Sequence, residues 1–404
     1  MNNDPLVITA IGAVGCFGDD VSSLWTSLLR AESLARPAAI GKDIGLSTEM
    51  QTFDLTRFHK STDGHRRPKS SQYAMAAAVQ VIKQARLGHD HDIDRDEVAI
   101  VYGTGTGGVS LTENMLTSLI ERGMGAIEPL LFQESVFNAP ASWVGIEHGF
   151  RGPLVALPMG WPTGGHAVAT AADFVDFGTA RIAIVLLADE LSPIAFEAYR
   201  ALGMLEPAAA DGQGMRPFDM RSQGAILGDG AAAMVVERAS SARARGVPAL
   251  AKLSGWSVTS DPFGMGPKDG ATSTLQHSMH AALAQAGRTN VPVVFSGAYG
   301  SQNAAAVEAA GIRSLPGEAC PIVTNIRGVV GEARGTTGLW NIIAAVQAIR
   351  HGQVPPIAGC GQPDYGLGLQ LATSALAQAP IDAALCNAFW INGVNTSIVV
   401  EACV

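Results

Sequence analysis

The sequence predicts an α/β fold in which sheets are layered against helices, and three observations predict it. Short β-rich runs alternate with longer Ala-rich stretches: VAIVYGTG (98–105), AVATAADFVDFG (167–178), RIAIVLLAD (181–189) and PVVFSGAYG (292–300). Such alternation is what a sheet covered by helices writes into a chain. Two segments, LGDGAAAMVVERA (227–239) and INGVNTSIVVEAC (391–403), echo one another, each running from a turn Gly into a Val-rich strand closed by Glu237 or Glu401. Self-similarity of this kind marks a duplicated architecture. Near residues 240–252, the polar, basic, Pro-containing stretch ASSARARGVPAL supplies a junction, dividing the chain into halves 1–249 and 250–404.

Taken in chain order, the elements follow from local chemistry. The start, MNNDPLVITAIG, is polar and then strand-like, without the basic start and apolar core of a secretory signal. SSQYAMAAAVQVIKQARL (70–87) places its apolar residues at helical spacing, so one face of a helix turns to the core. GTGTGG (103–108) follows a strand like a phosphate loop, yet lacks both the Lys-Ser/Thr ending and a complete dinucleotide fingerprint. VALPMGWPTGGHA (155–167) is a buried strand, a turn and a helix start, with Pro162 suited to the first helical residue because its missing N–H would be an orphan there. A thiol at this turn would feel the positive end of the helix dipole and lose its proton readily. Trp161 stands there instead, and an indole offers a donor but no titratable nucleophile.

Composition narrows the function. Hydrophobic residues make up 47% of 404 and charged ones 16%, yet no unbroken apolar run reaches the length of a membrane span. A net charge of −9 without a long Lys/Arg block argues against a nucleic-acid surface. Cysteines 16, 320, 360, 386 and 403 are odd in number and show no CxxC spacing, which points to free thiols rather than a disulfide framework or a zinc site. The expectation is a cytoplasmic protein without metal or cofactor.

From end to end the chain resembles the β-ketoacyl-acyl carrier protein synthases of the thiolase superfamily. VITAIGAVGCFGDDVSSLWTSLL (7–29), GTGTGG (103–108), FNAPASWVGIEHGFRGP (137–153), RPFDMRSQGAILGDGAAAMVVE (216–237) and GEARGTTG (331–338) fall in the family's order. The resemblance implies a thiolase-like fold, two duplicated halves forming a layered αβαβα sandwich, and an obligate dimer. Members condense an acyl thioester with a malonyl thioester, using a Cys nucleophile and two His. Registered on Thr163-Gly164, the nucleophile's place falls to Trp161. The first His slot falls to Tyr299 and the second to Glu332, and the family's upstream Lys becomes Arg327. The loop that contacts the acyl pocket reads FWINGVN (389–395), with Trp390 and Ile391 replacing a small Gly and the gating Phe.

With all three catalytic positions changed, the resemblance points to the chain-length-factor subunit of type II polyketide or aryl-polyene synthases. Such a subunit pairs with an active ketosynthase in a heterodimer, shapes its tunnel, and meets the acyl carrier protein through the complex. In the family, the segment before the Asn matched to Asn138 reaches across the dimer; here it carries Leu131, Phe132, Val136 and Phe137, apolar residues suited either to a partner's tunnel floor or to packing within the chain. Two other readings stand beside this one. One is a thiolase-fold acyltransferase or hydrolase working through Tyr299, Glu332 or His166; the other is a homodimeric scaffold that binds carrier protein.

Overall fold

The structure, a computed structural model, describes residues 4–40, 45–60, 64–206, 214–262, 271–317, 320–373 and 381–403. Eleven strands form one continuous sheet, in the order β11-β10-β9-β12-β13-β8-β1-β7-β6-β4-β5. In chain order these are β1 (Leu6–Gly15), β4 (Val98–Gly103), β5 (Leu154–Leu157), β6 (Ile182–Asp189), β7 (Gly230–Arg238), β8 (Ala251–Ser260), β9 (Val293–Phe295), β10 (Ile322–Thr324), β11 (Gln370–Leu371), β12 (Ala383–Phe389) and β13 (Val394–Glu401). The short β2 (Arg36–Pro37) and β3 (Leu46–Ser47) pair separately.

The strand order repeats. β1 pairs antiparallel with β7, β7 antiparallel with β6, β6 parallel with β4 and β4 parallel with β5. In the same sequence of pairings, β8 is antiparallel to β13, β13 antiparallel to β12, β12 parallel to β9 and β9 parallel to β10. The two runs join where β1 meets β8, through Val7↔Lys252 and Ile8↔Ala251. The echoing segments are thus β7 and β13, each second in its run. Each closes on a tethered glutamate: Glu237 accepts from Thr9 Oγ1 at 2.8 Å and pairs with Arg245, and Glu401 pairs with Arg288 and accepts from Ser254 at 2.7 Å.

Layering follows from which side chains face which way. Along β7, Ala232, Met234 and Val236 join the central core, whereas Ala231, Ala233 and Val235 pack beneath the outer helix Lys69–Gln84. Both faces of the strand are buried, which is why these strands read as unbroken apolar runs rather than alternating ones. Two central helices, Thr163–Asp176 and Gly335–His351, lie between the two runs of strands. Ala271–Gln285 and Gln302–Arg313 cover the opposite outer face. The second central helix is buried from Gly335 to Ala348, as a helix apolar on all sides must be. This is the αβαβα sandwich that the resemblance implies.

Candidate functional site

Strand β5 leads through Met159 and Gly160 to Trp161 at the tip of the first central helix. Gly160 holds φ +75°, and a Cβ there would lie 2.7 Å from the Trp390 ring, so the turn requires glycine twice over. Thr163 Oγ1 accepts from Met159 N–H at 3.1 Å and donates to Gly160 O at 2.6 Å, clamping the turn against the helix. Pro162 sits one residue earlier than the sequence suggests: it caps the helix, its carbonyl accepting from His166 N–H at 3.2 Å, and Thr163 opens the helical run. The Gly-Gly after Thr163 answers to packing. A Cβ on Gly164 would come within 2.6 Å of Leu339 N, and one on Gly165 within 2.2 Å of Thr396 Oγ1, because the second central helix and β13 press directly on this turn.

Trp161 is 1% exposed and lies among aromatic rings. Tyr299 meets it edge-on at 4.9 Å and 90°, and Trp390 stacks on it at 5.4 Å and 15°. Tyr199, from the helix Pro193–Ala201, tilts against it at 5.8 Å and accepts its Nε1–H at 3.2 Å. The fold therefore brings together Trp161, Tyr299 and Trp390, three positions widely separated in sequence. Ile391 is half-buried beside them, following Trp390 into the turn between β12 and β13. Asn392 Nδ2 ties that turn to Met159 O at 2.9 Å.

Arg327 and Glu332 form a buried ion pair, Nε to Oε2 at 2.6 Å, with side chains 2% and 0% exposed. Arg327 Nη1 also donates to Ser296 O at 3.0 Å, linking the pair to the loop that carries Tyr299. Burial pushes the Glu332 carboxyl up, and the Arg327 guanidinium pulls it back down. Arg327 engages its Oε2, yet burial outweighs that pairing and the carboxyl stays above its ordinary value. Burial raises Tyr299 to about 12 and Tyr199 above its ordinary value, so both phenols stay protonated at neutral pH. The Cys16 and Cys386 thiols are driven far up by burial, and Cys360 to about 12, by burial and then Asp219. His166 lies at the fourth position of its helix, and burial lowers its pKa. The indole and the phenol at the matched positions can fill space, stack and hydrogen-bond, and neither ionises to a nucleophile near neutral pH, while the carboxyl is held in the Arg327 pair.

A second polar centre lies behind the rings, and nothing in the sequence singled it out. Asp189, at the end of β6, accepts from Thr104 Oγ1 at 3.0 Å, from the N–H groups of Gly105 and Thr106 at 2.7 and 3.3 Å, and from Thr336 N and Oγ1, both at 3.2 Å. The GTGTGG loop thus points its amides at an internal carboxylate rather than at an external phosphate. Arg334, fully buried at φ +52°, places Nε 3.6 Å from Asp189 and donates from Nη2 to Glu190 O at 2.9 Å. Arg334 belongs to GEARGTTG, but a linear motif cannot show what a guanidinium faces, and Tyr199 carries no sequence signal.

The remaining expected positions lie elsewhere. Phe132, Val136 and Phe137 are 63%, 38% and 47% exposed, and Leu131 is half-buried; none touches the aromatic cluster. Phe137 covers Gly107. Phe132 borders an apolar groove of about 590 Å³ with Met115, Leu116, Leu119 and Met124. Among the described residues, no group of three or more His, Cys, Asp or Glu is placed to hold a metal, and no helix is long and apolar enough to cross a membrane.

Residues 3–242 match the beta-ketoacyl synthase N-terminal domain and residues 250–360 the C-terminal domain. The 3-oxoacyl-[acyl-carrier-protein] synthase 2 of Vibrio harveyi is 27% identical over 412 residues, covering 99% of both chains, and that of Coxiella burnetii is 26% identical over 415. Among solved structures, the ishigamide ketosynthase/chain length factor superposes with a TM-score of 0.91 at 23% identity, covering 99% of this chain and 100% of that one. A ketosynthase in complex with its chain length factor from Xenorhabdus doucetiae gives 0.83 at 18%, covering 99% and 98%. These likenesses carry the thiolase-like fold, and with two consecutive domain matches spanning most of its length the chain belongs to the β-ketoacyl synthase family.

Proposed function

We propose that this chain is the non-catalytic, chain-length-factor-type partner of an active ketosynthase, shaping that subunit's acyl tunnel in type II polyketide, aryl-polyene or fatty-acid-like biosynthesis in the cytoplasm. One observation supports the reading: Trp161, the residue matched to the nucleophile's position, is packed at the helix tip against Tyr199, Tyr299 and Trp390. A ring in that seat occupies the space an acyl thioester would need. The Arg327–Glu332 pair supports it from the other side, since the slot that would steady a developing oxyanion holds a carboxylate already engaged. The reading takes residues 1–249 and 250–404 as the duplicated halves, in keeping with the repeated strand order.

A partner is supported by the surface. Strand β5 ends the sheet with Leu154 38% exposed, and Leu116, Ile120, Met124 and Phe132 are 51%, 82%, 74% and 63% exposed. Exposed strand edges and apolar patches are surfaces that proteins ordinarily cover. The partner would bring the Cys, the two His and the carrier-protein chemistry.

The test is co-expression with a Cys-bearing synthase, followed by size-exclusion chromatography and a condensation assay on acyl- and malonyl-carrier substrates. A stable heterodimer is expected, with an acyl adduct only on the partner. A homodimer that ignores the synthase would favour the scaffold reading. Turnover by the isolated chain, or a covalent adduct on Tyr299 or His166, would favour the acyltransferase or hydrolase reading and overturn this one.

A further inference from the structure

Two helices start beside one another without caps of their own. Pro68, before Lys69–Gln84, and Gly108, before Val109–Arg122, offer no side chain to the N–H groups of the first turn, and such groups need an acceptor. Glu190, fully buried next to the last residue of β6, supplies it to both: Oε2 accepts from Ser70 N–H and Oε1 from Ser110 N–H, each at 2.9 Å. A carboxylate between two positive helix ends favours both helices. The Glu190 carbonyl accepts from the buried Arg334 at 2.9 Å, and Ser110 Oγ donates to Leu191 O at 3.2 Å, so the junction is fixed from both sides.

The two helices depend on this carboxylate unequally. Lys69–Gln84 is buried from Ser70 to Ile82 along the face it turns to β1 and β7, whereas no residue of Val109–Arg122 is buried. A 14-residue helix without a buried side chain gains little from packing, so its anchored end decides how it is held. Leu116 and Ile120, one turn apart, stand exposed on it, and Met115 and Leu119 line the apolar groove with Phe132. We infer that Glu190 is a positioning residue: it clamps the start of Val109–Arg122 to the well-packed Lys69–Gln84, and so sets where the apolar groove lies relative to the sheet. Glu190 does not itself line that groove. The consequence for a partner rests on the proposed subunit role: a clamped groove fixes the length of chain the partner builds, and a released one lets that length vary.

Hydrogen exchange on the full chain, read by mass spectrometry, tests the clamp without any partner. Glu190→Gln leaves one acceptor oxygen for two N–H groups, because an amide accepts through its oxygen alone. The helix without buried residues should lose the contest: exchange in 109–122 is expected to rise about fivefold, the factor for a typical lost cap, with 69–84 and 335–351 unchanged. Ser110→Pro deletes only the N–H given to Glu190 Oε1. The chain already carries Pro140 at the second position of the helix Ala139–His148, so this half-buried change covers the case in which Glu190→Gln fails to fold, and it should raise exchange in 111–122 likewise. Unchanged exchange in this segment, or a rise equal in all three, would overturn the clamp. In complex with a Cys-bearing synthase, Glu190→Gln should spread the products by one or more extension units. Raised exchange with wild-type products would overturn the link to chain length. A wild type that forms no complex counts against the subunit reading alone, the clamp being decided by exchange.

Discussion

Trp161 is held by two kinds of force at once: a ring cluster that excludes water on all sides and one hydrogen bond to Tyr199 that fixes which way the indole faces. Replacing it with Cys would restore the family's nucleophile type but neither imidazole, since Tyr299 and the engaged Glu332 remain. We expect Trp161→Cys to gain an alkylatable thiol and no detectable condensation; recovered condensation, measured with acyl- and malonyl-carrier substrates, would show that the two His slots are misassigned. Trp161→Ala should cost about 3–5 kcal/mol in urea unfolding, the range for truncating a buried aromatic. A separate residue sets a pH dependence. Burial raises Asp229 from 3.8 to about 7, so the folded chain holds that proton more tightly than the unfolded one. Its stabilising contribution is complete below about pH 4 and lost as pH rises toward 7. The stability of the wild type relative to Asp229→Asn should therefore fall between about pH 4 and pH 7, measured by paired denaturant titrations.

At the scale of elements, the decisive contact is the crossing of the two central helices, which lets Gly164 lie against the backbone of Gly335–Leu339. Gly164→Ala should destabilise by about 1–3 kcal/mol through overpacking. Gly125 is the control, because a Cβ there meets nothing within 4 Å; its change to Ala should stay within about 0.5 kcal/mol in the same assay. This scale also shows what was legible beforehand. Strands β6 and β7 were readable as apolar runs because both faces are covered, and the echo of β7 in β13 placed a repeat. The pairing of Trp161, Tyr299 and Trp390 was readable only through resemblance, because no periodicity connects turns 138 and 229 residues apart. Tyr199 and the Asp189–Arg334 centre were not legible: their roles depend on tertiary placement, and an apolar run ending in Asp looks the same whether the carboxylate faces water or two helix starts.

Across the whole molecule, one exterior region, from Leu116 to Phe137 and along β5, is left apolar and open. If that face meets an active synthase, the side chains of Phe132 and Phe137 set a boundary for the partner's growing chain. Phe132→Ala and Phe137→Ala should then shift products toward longer chains by one or more extension units, read by mass spectrometry, with the complex intact. An intact complex making unchanged products would leave these rings as packing residues only.

The stacked indoles of Trp161 and Trp390 have an optical consequence. Two such chromophores 5.4 Å apart and nearly parallel couple their electronic transitions, so the native chain should display an exciton feature in its circular dichroism that four isolated tryptophans could not generate. Trp390→Phe should erase it. Swinging the β12–β13 turn outward should erase it too, which makes the feature an inbuilt gauge of whether that turn stays shut when another subunit arrives.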